Sequence, residues 1–128
     1  MGSRLYGDKF SILPLGIDST VFYPPDARLQ ARKRVVGAGH LESRKRPDLF
    51  LATAERSPQA DFIWYGDGSL RQSLTQLATA RGVENVRFPG GLPPSKLADE
   101  FRQADVFVLP SKAEGVPKVS QEAAACGL

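Results

Sequence analysis

Four times between Arg34 and Leu128 a short apolar run gives way to a loop punctuated by Gly or Pro, then to a segment whose apolar residues recur at helical spacing. This alternation marks βα units and a parallel sheet, because each helix returns the chain to the same end of the sheet. The first unit predicts a strand over 34–38, the loop GHLESRKR, and a helix opening at Pro47 with Leu49, Ala52 and Arg56 at helical spacing. Proline in a first turn forfeits no intrahelical bond. The second unit is a strand over 61–65, the turn Gly66-Asp67-Gly68, and a helix that Ser69 and Gln72 open as a capping box. Leu70, Leu74, Leu77 and Ala78 form its apolar stripe, and Gly82 stops it. The third runs from a strand over 86–88 through PGGLPP to a helix carrying Leu97, Phe101 and Ala104. The fourth is a strand over 105–109, the loop SKAEGVPK, and a small-residue helix over 120–126. The VFVL core of that last strand does not alternate, the pattern of a strand covered on both faces.

Ahead of these units, SILPLGID reads as one more strand ending near Pro14, followed by TVFYPPD and a basic segment over 28–34. Five strands and four helices are expected in one domain, 1–33 as an opening strand and linker and 34–128 as four βα units. Parallel strands joined by helices cross over right-handed. The predicted fold class is therefore α/β, a Rossmann-like open, twisted parallel sheet with helices on both faces. Ligands of such sheets lie beyond the carboxyl ends of the strands, so the informative loops are GHLESRKR, GDGS, PGGLPP and SKAEGVPK.

Composition narrows the chemistry. The 128 residues suit one core, and 17 Lys and Arg against 14 Asp and Glu give a net charge of only +3. A single cysteine, Cys126, permits no intrachain disulfide, which points to a reducing, cytoplasmic location. A single histidine, His40, rules out sites built on two imidazoles, and no metal is expected. The first fifteen residues lack an apolar signal core, and no run approaches the roughly 18 apolar residues that cross a bilayer.

Gly37 and Gly39 match the start of a dinucleotide fingerprint, but Glu42 stands at the third glycine position, where a carboxylate repels a pyrophosphate. No phosphate-binding G-x-x-x-x-G-K-[ST] loop occurs. Lys45, between Arg44 and Arg46, either reaches an anionic ligand in the crevice or belongs to a solvated basic loop. In Glu114-Gly115-Val116-Pro117-Lys118 the chain approaches a helix whose free N–H groups and positive dipole end suit a phosphate. Glu122, eight residues beyond Glu114, is expected in the first helical turn, either facing the same crevice or complementing the dipole. Two carboxylates flanking an anion site suit a sugar and a ribose better than a bare phosphate. Two other readings are open. The clusters Arg32-Lys33-Arg34 and Arg44-Lys45-Arg46 could form a nucleic-acid or anionic-surface module, against which stand the small net charge and the lack of interleaved aromatics. Cys126 with His40 could form a thiol and base pair, although three alanines before Cys126 favour packing.

Taken in order, ILPLGID, GHLESRKRPDLFLATA, FIWYGDGSLR, VRFPGGL and ADVFVLPSKAEGVPKVSQEAAACGL resemble the donor-binding half of glycosyltransferase family 4, retaining enzymes of the GT-B fold. The resemblance runs from about Ser11 to Leu128 and is most specific at Glu114 and Glu122 with seven residues between them. It implies that residues 1–128 form a single nucleotide-sugar-binding domain in which Glu114 bonds hydroxyls of the transferred sugar and Glu122 bonds the ribose. It implies that the backbone of Gly115, Val116, Pro117 and Lys118 lies along the sugar and diphosphate, with N–H groups from all of these but the proline, and that Lys45 neutralises the leaving diphosphate. His40 stands where the family usually has Arg, five residues before the lysine, a shorter side chain without arginine's permanent charge. The segment at Leu92 matches the one whose backbone meets the nucleobase. The implied reaction is transfer of a hexosyl group from a nucleoside diphosphate sugar to a hydroxyl acceptor with retention, in polysaccharide biosynthesis, with no cofactor, metal or nucleic acid. In the family an acceptor-binding half comes first and a further strand follows, so this chain is expected to be an internal fragment. Such a fragment binds its donor weakly without transferring it, reaches membranes only through parts outside it, and leaves an apolar edge at 106–109.

Overall fold

The computed structural model describes residues 16–28 and 31–128. Strand β1 (Lys33–Ala38) grows steadily more buried along its length and lies inside the sheet. Strand β2 (Ala60–Tyr65) pairs with it in parallel from Lys33↔Ala60 to Ala38↔Tyr65. Strand β3 (Val86–Gly90) pairs outside β2, with an irregularity between Ile63 and Tyr65. Strand β4 (Val106–Phe107) returns to the other side of β1, matching Val35↔Val106 and Val36↔Phe107. The order is β3-β2-β1-β4. The chain thus walks outward from β1 and then jumps back across it, and the carboxyl ends of β1 and β4 flank the point where the direction reverses.

Helices cover both faces, as the alternation of side chains along the strands requires. On one face Phe62, Trp64, Val86 and Phe88 pack against Phe50, Leu51 and Ala54 of α1 (Pro47–Arg56) and Leu74 and Ala78 of α2 (Arg71–Ala80). Phe50 meets Phe62 and Trp64 edge-on at 5.3 and 5.2 Å between centroids, a favoured aromatic geometry. On the other face Val36, Ala38, Ile63 and Tyr65 pack against Ala98 and Phe101 of α3 (Pro94–Gln103) and Ala123 of α4 (Lys118–Ala125). Phe22 seals this second layer from the segment before β1, held there by an Arg102 Nη1 bond of 2.9 Å to the Val21 carbonyl.

The α/β class and the four βα units stand, with local corrections. Among the described residues there are four strands; the strand expected near Pro14 lies outside them. Helix α1 buries Phe50, Leu51 and Ala54 and leaves Leu49 exposed, so the spacing through Leu49, Ala52 and Arg56 traced its flank. The Ser69 and Gln72 capping box does not form: Leu70 takes the cap position without a side-chain bond, and its N–H bonds the Leu41 carbonyl at 3.1 Å. Leu77 is exposed while Leu74 and Ala78 are buried. Gly82 follows α2 with φ 68°, the left-handed stop its sequence suggested. Strand β4 is only two residues long and lies at the sheet edge among the described residues, with Val106 47% exposed, yet the run meets both layers as expected, Phe107 packing on one face and Val108 and Leu109 on the other. Helix α4 begins at Lys118 rather than at residue 120.

The rim of the sheet depends on close backbone approach at Gly66. A Cβ there would lie 2.0 Å from the Gly39 carbonyl oxygen, and φ is 152°. Gly66→Ala is expected to destabilise the chain by about 3 kcal/mol in urea unfolding, because neither backbone can yield without breaking the Gly66 N–H bond to Gly90. An unchanged midpoint would contradict this packing.

Candidate functional site

The loops that follow β1 and β4 meet directly at the reversal point. The Lys112 N–H donates to the Arg44 carbonyl at 2.9 Å, and Arg44 Nη1 donates to the Ala113 carbonyl at 3.0 Å. Between these bonds Lys45 Nζ donates to Glu114 Oε1, which also accepts from Ser111 Oγ at 2.6 Å. Arg44 reaches the other carboxylate oxygen at 3.5 Å while pairing with Glu42 at 3.0 Å. The Lys45 and Glu114 side chains retain only 12% and 18% of their exposure. Lys45, then Ser111, holds the Glu114 carboxyl below its ordinary range. Lys45 is therefore no solvated loop cation. It sits in a single 3₁₀ turn, Ser43–Lys45, which Arg46 closes with a left-handed φ of 55° before α1 begins. Arg46 forks onto Asp48 at 2.7 to 3.1 Å, toward the start of α1.

The other expected residues surround this pair. Gly39 packs along the Lys45 stem, with Cε 3.7 Å from where a Cβ would stand. His40 Nδ1 lies 3.1 Å from the Asp67 carbonyl oxygen. A carbonyl only accepts, so Nδ1 is the donor in this bond. Gly115 and Val116 are exposed, Pro117 takes the cap position of α4, and Lys118 is its first residue. No side chain caps that end, so its first N–H groups remain for a ligand. Glu122 falls in the second turn, not the first, which removes the dipole-complementing explanation. Its side chain is 14% exposed with only Lys118 Nζ nearby, at 3.9 Å, and burial pushes its carboxyl above the ordinary value. Leu92 follows β3, is 38% exposed, and belongs to the far side of the rim. Sequence reasoning missed Ser111, whose position three residues before Glu114 was the available signal, and Asp67, a carboxylate between two rim glycines.

The alternatives lose their residues. Arg32 pairs with Asp61 at 2.7 Å, Lys33 with Asp105 at 3.2 Å and Arg34 with Glu100 at 3.4 Å, so the first basic cluster is interleaved with acids rather than forming an uncompensated positive stripe. Cys126 is fully buried between α3 and α4, its thiol pushed up by burial, and His40 lies on the rim. A cleft of about 580 Å³ is lined by Arg32, Glu55, Asp61 and Arg81 at the opposite, amino end of the strands. Its charges are consumed in pairs of 2.7 and 3.5 Å, and ligands of parallel sheets bind at the other end. Among the described residues no group of His, Cys, Asp and Glu could hold a metal, and no helix is long and apolar enough to cross a membrane.

Residues 25–128 match the family model described as glycosyl transferases group 1. The chain belongs to that family. Among its relatives are an alpha-galactosylglucosyldiacylglycerol synthase of Streptococcus pneumoniae, 37% identical over 72% of this chain and 26% of that protein, and a D-inositol 3-phosphate glycosyltransferase of Catenulispora acidiphila, 35% identical over 96% and 35%. Among solved structures, sucrose-phosphate synthase of Thermosynechococcus elongatus superposes with a TM-score of 0.77 at 27% identity over 98% of this chain and 36% of that one. Anabaena Alr3699/HepE, in complex with UDP and glucose, gives 0.72 at 25% identity over 88% and 35%. The chain spans about a third or less of these curated relatives. The Rossmann-like GT-B assignment is thereby established for this chain.

The burial of Glu122 has a pH consequence. A carboxyl raised on folding contributes stability while protonated and loses it as pH climbs from its ordinary 4.5 through the raised value. Glu122→Gln should therefore melt above the wild type at pH 7, with the gap closing toward pH 4. A gap of equal size at both pH values would mean that burial is not the cause.

Proposed function

We propose that the chain is the donor-binding part of a hexosyltransferase that takes a nucleoside diphosphate sugar. The observation that carries this reading is the Lys45 and Glu114 pair, buried at the reversal of the sheet beside the uncapped start of α4. The diphosphate lies between Lys45 and the N–H groups of Gly115, Val116 and Lys118, the sugar hydroxyls on Glu114, the ribose on Glu122, and the base along the segment at Leu92. His40 contributes less than an arginine would, because it is shorter and lacks arginine's permanent charge and planar fork of donors. That the Anabaena Alr3699/HepE structure, at 25% identity, is a complex with UDP and glucose supports the ligand class.

In the whole enzyme the ammonium of Lys45 and the helix start stabilise the departing diphosphate, a preorganised-charge effect worth about 3 kcal/mol per donor group. Paired carboxylates can act as nucleophile and acid in glycosidases. Glu114, by contrast, already accepts bonds from Lys45, Ser111 and Arg44, which suits it to orienting hydroxyls. Transfer with retention by front-face attack, no cofactor, a cytoplasmic location and a role in polysaccharide biosynthesis complete the proposal. The 128-residue chain alone binds donor weakly and does not turn it over.

Calorimetric titration with UDP, GDP and ADP sugars tests this. One donor should give heat, and Lys45→Ala and Glu122→Ala should each weaken it about tenfold, or about 1.4 kcal/mol. Absence of heat with every donor, in a sample shown to be folded, overturns the assignment.

A further inference from the structure

Three of the four rim loops converge on one residue that the reading above leaves without a role. The carbonyl of Asp67, on the loop after β2, accepts the Leu41 N–H at 3.0 Å and His40 Nδ1 at 3.1 Å, both from the loop after β1. Its carboxylate faces the opposite way. Oδ2 accepts the Gly91 N–H at 3.1 Å and Oδ1 accepts Arg71 Nη1 at 2.8 Å. Arg71, at the start of α2, uses the rest of its planar fork on the same stretch: Nε donates to the Phe88 carbonyl at 3.0 Å and Nη2 to that of Pro89 at 2.6 Å. The Gly90 carbonyl accepts from Gly66 at 2.9 Å. Each of the four consecutive residues 88–91 thus has a backbone group pinned by the loop after β2 or the helix that follows it. The fit is close, since the guanidinium stands 3.1 Å from where a Cβ on Gly90 would lie, and Gly90 has φ 107°.

Such an arrangement adds little to stability. Asp67 and Arg71 side chains are 62% and 41% exposed, and ion pairs in that setting contribute close to nothing. What they fix is geometry: the backbone immediately before Leu92, relative to the loop carrying His40 and Lys45. A flexible single-point cation such as lysine could pair with Asp67 but could not span two carbonyls and a carboxylate in one plane. Resting on the donor-binding reading, we propose that Asp67 and Arg71 are positioning residues that hold residues 88–92 against the phosphate-side loop and thereby set recognition of the nucleoside part of the donor. Neither residue touches the diphosphate end of the site at Glu114 and Lys45 by hydrogen bond or ion pair. Their loss should therefore act on the nucleoside and spare the phosphates.

The test uses the whole chain and four probes, UDP, GDP, ADP and inorganic pyrophosphate, titrated into wild type, Asp67→Asn, Arg71→Gln and Arg71→Lys. Each variant should weaken the best-bound nucleoside diphosphate about tenfold and change pyrophosphate affinity less than about twofold. Hydrogen exchange at the Gly91 amide should accelerate without ligand in Asp67→Asn, while melting temperatures stay within about 3 °C of wild type. Nucleoside diphosphate affinity equal to wild type in Asp67→Asn and Arg71→Gln, or pyrophosphate affinity falling by the same factor, overturns the positioning role. So does Arg71→Lys behaving as wild type, since charge alone would then suffice. Wild type that binds pyrophosphate but no nucleoside diphosphate overturns the underlying donor assignment instead, whatever the Gly91 exchange shows.

Discussion

Trp64 joins the core to the rim, and the rest of the structure hangs on that contact. Its ring lies across Gly37, so closely that a Cβ there would come within 2.5 Å, and its far edge meets Phe50 of α1. Its indole N–H donates to the Gly39 carbonyl at 2.9 Å, at the root of the loop that carries Lys45. Gly39 in turn lies along the Lys45 stem. One fully buried side chain thus anchors α1, seats β1 against β2, and fixes where the loop leaves the sheet. The ammonium is placed by the core rather than by its own loop.

Topology completes what that anchor begins. Because the chain steps outward from β1 and then returns beyond it, the loops after β1 and β4 are neighbours in space although 69 residues separate Lys45 from Glu114. No local motif could bring those groups together. The two helical layers serve the same end, α1 and α2 supporting the loops after β1 and β2, α3 and α4 supporting those after β3 and β4. The site is a product of crossing geometry, and its rigidity is that of the sheet.

Much of this was readable beforehand, for identifiable reasons. Strands β1, β2 and β3 announced themselves by β-branched and aromatic runs, and Pro47, Gly82 and the Gly66-Asp67-Gly68 turn marked boundaries that the backbone keeps. The residues of the Lys45 and Glu114 pair were both named, since a rim cation and a rim acid stand out in loops. Their mutual contact was not foreseeable, because it depends on strand order. The face of α1 was misjudged because Leu49, Phe50 and Leu51 are adjacent and periodicity cannot say which of them points inward. The capping box failed because the helix opens one residue later than it requires, with Leu70 rather than Ser69 at the cap. Among the described residues β4 has a neighbour on one side only, the open edge expected at 106–109, while Phe107 meets one core layer and Val108 and Leu109 the other, as the unalternating VFVL run implied.

The cluster at the reversal point consists of Arg44 and Lys45 facing Glu42 and Glu114. Two positive and two negative groups at such short range cancel beyond a few ångströms, so the unliganded mouth of the cleft projects little long-range field. For the diphosphate proposed above, encounter would then follow ordinary diffusion rather than electrostatic steering. Only on contact would the Lys45 ammonium pass from Glu114 to an incoming oxyanion. Ionic strength consequently bears less on the speed of capture than the overall basic character of the chain would suggest.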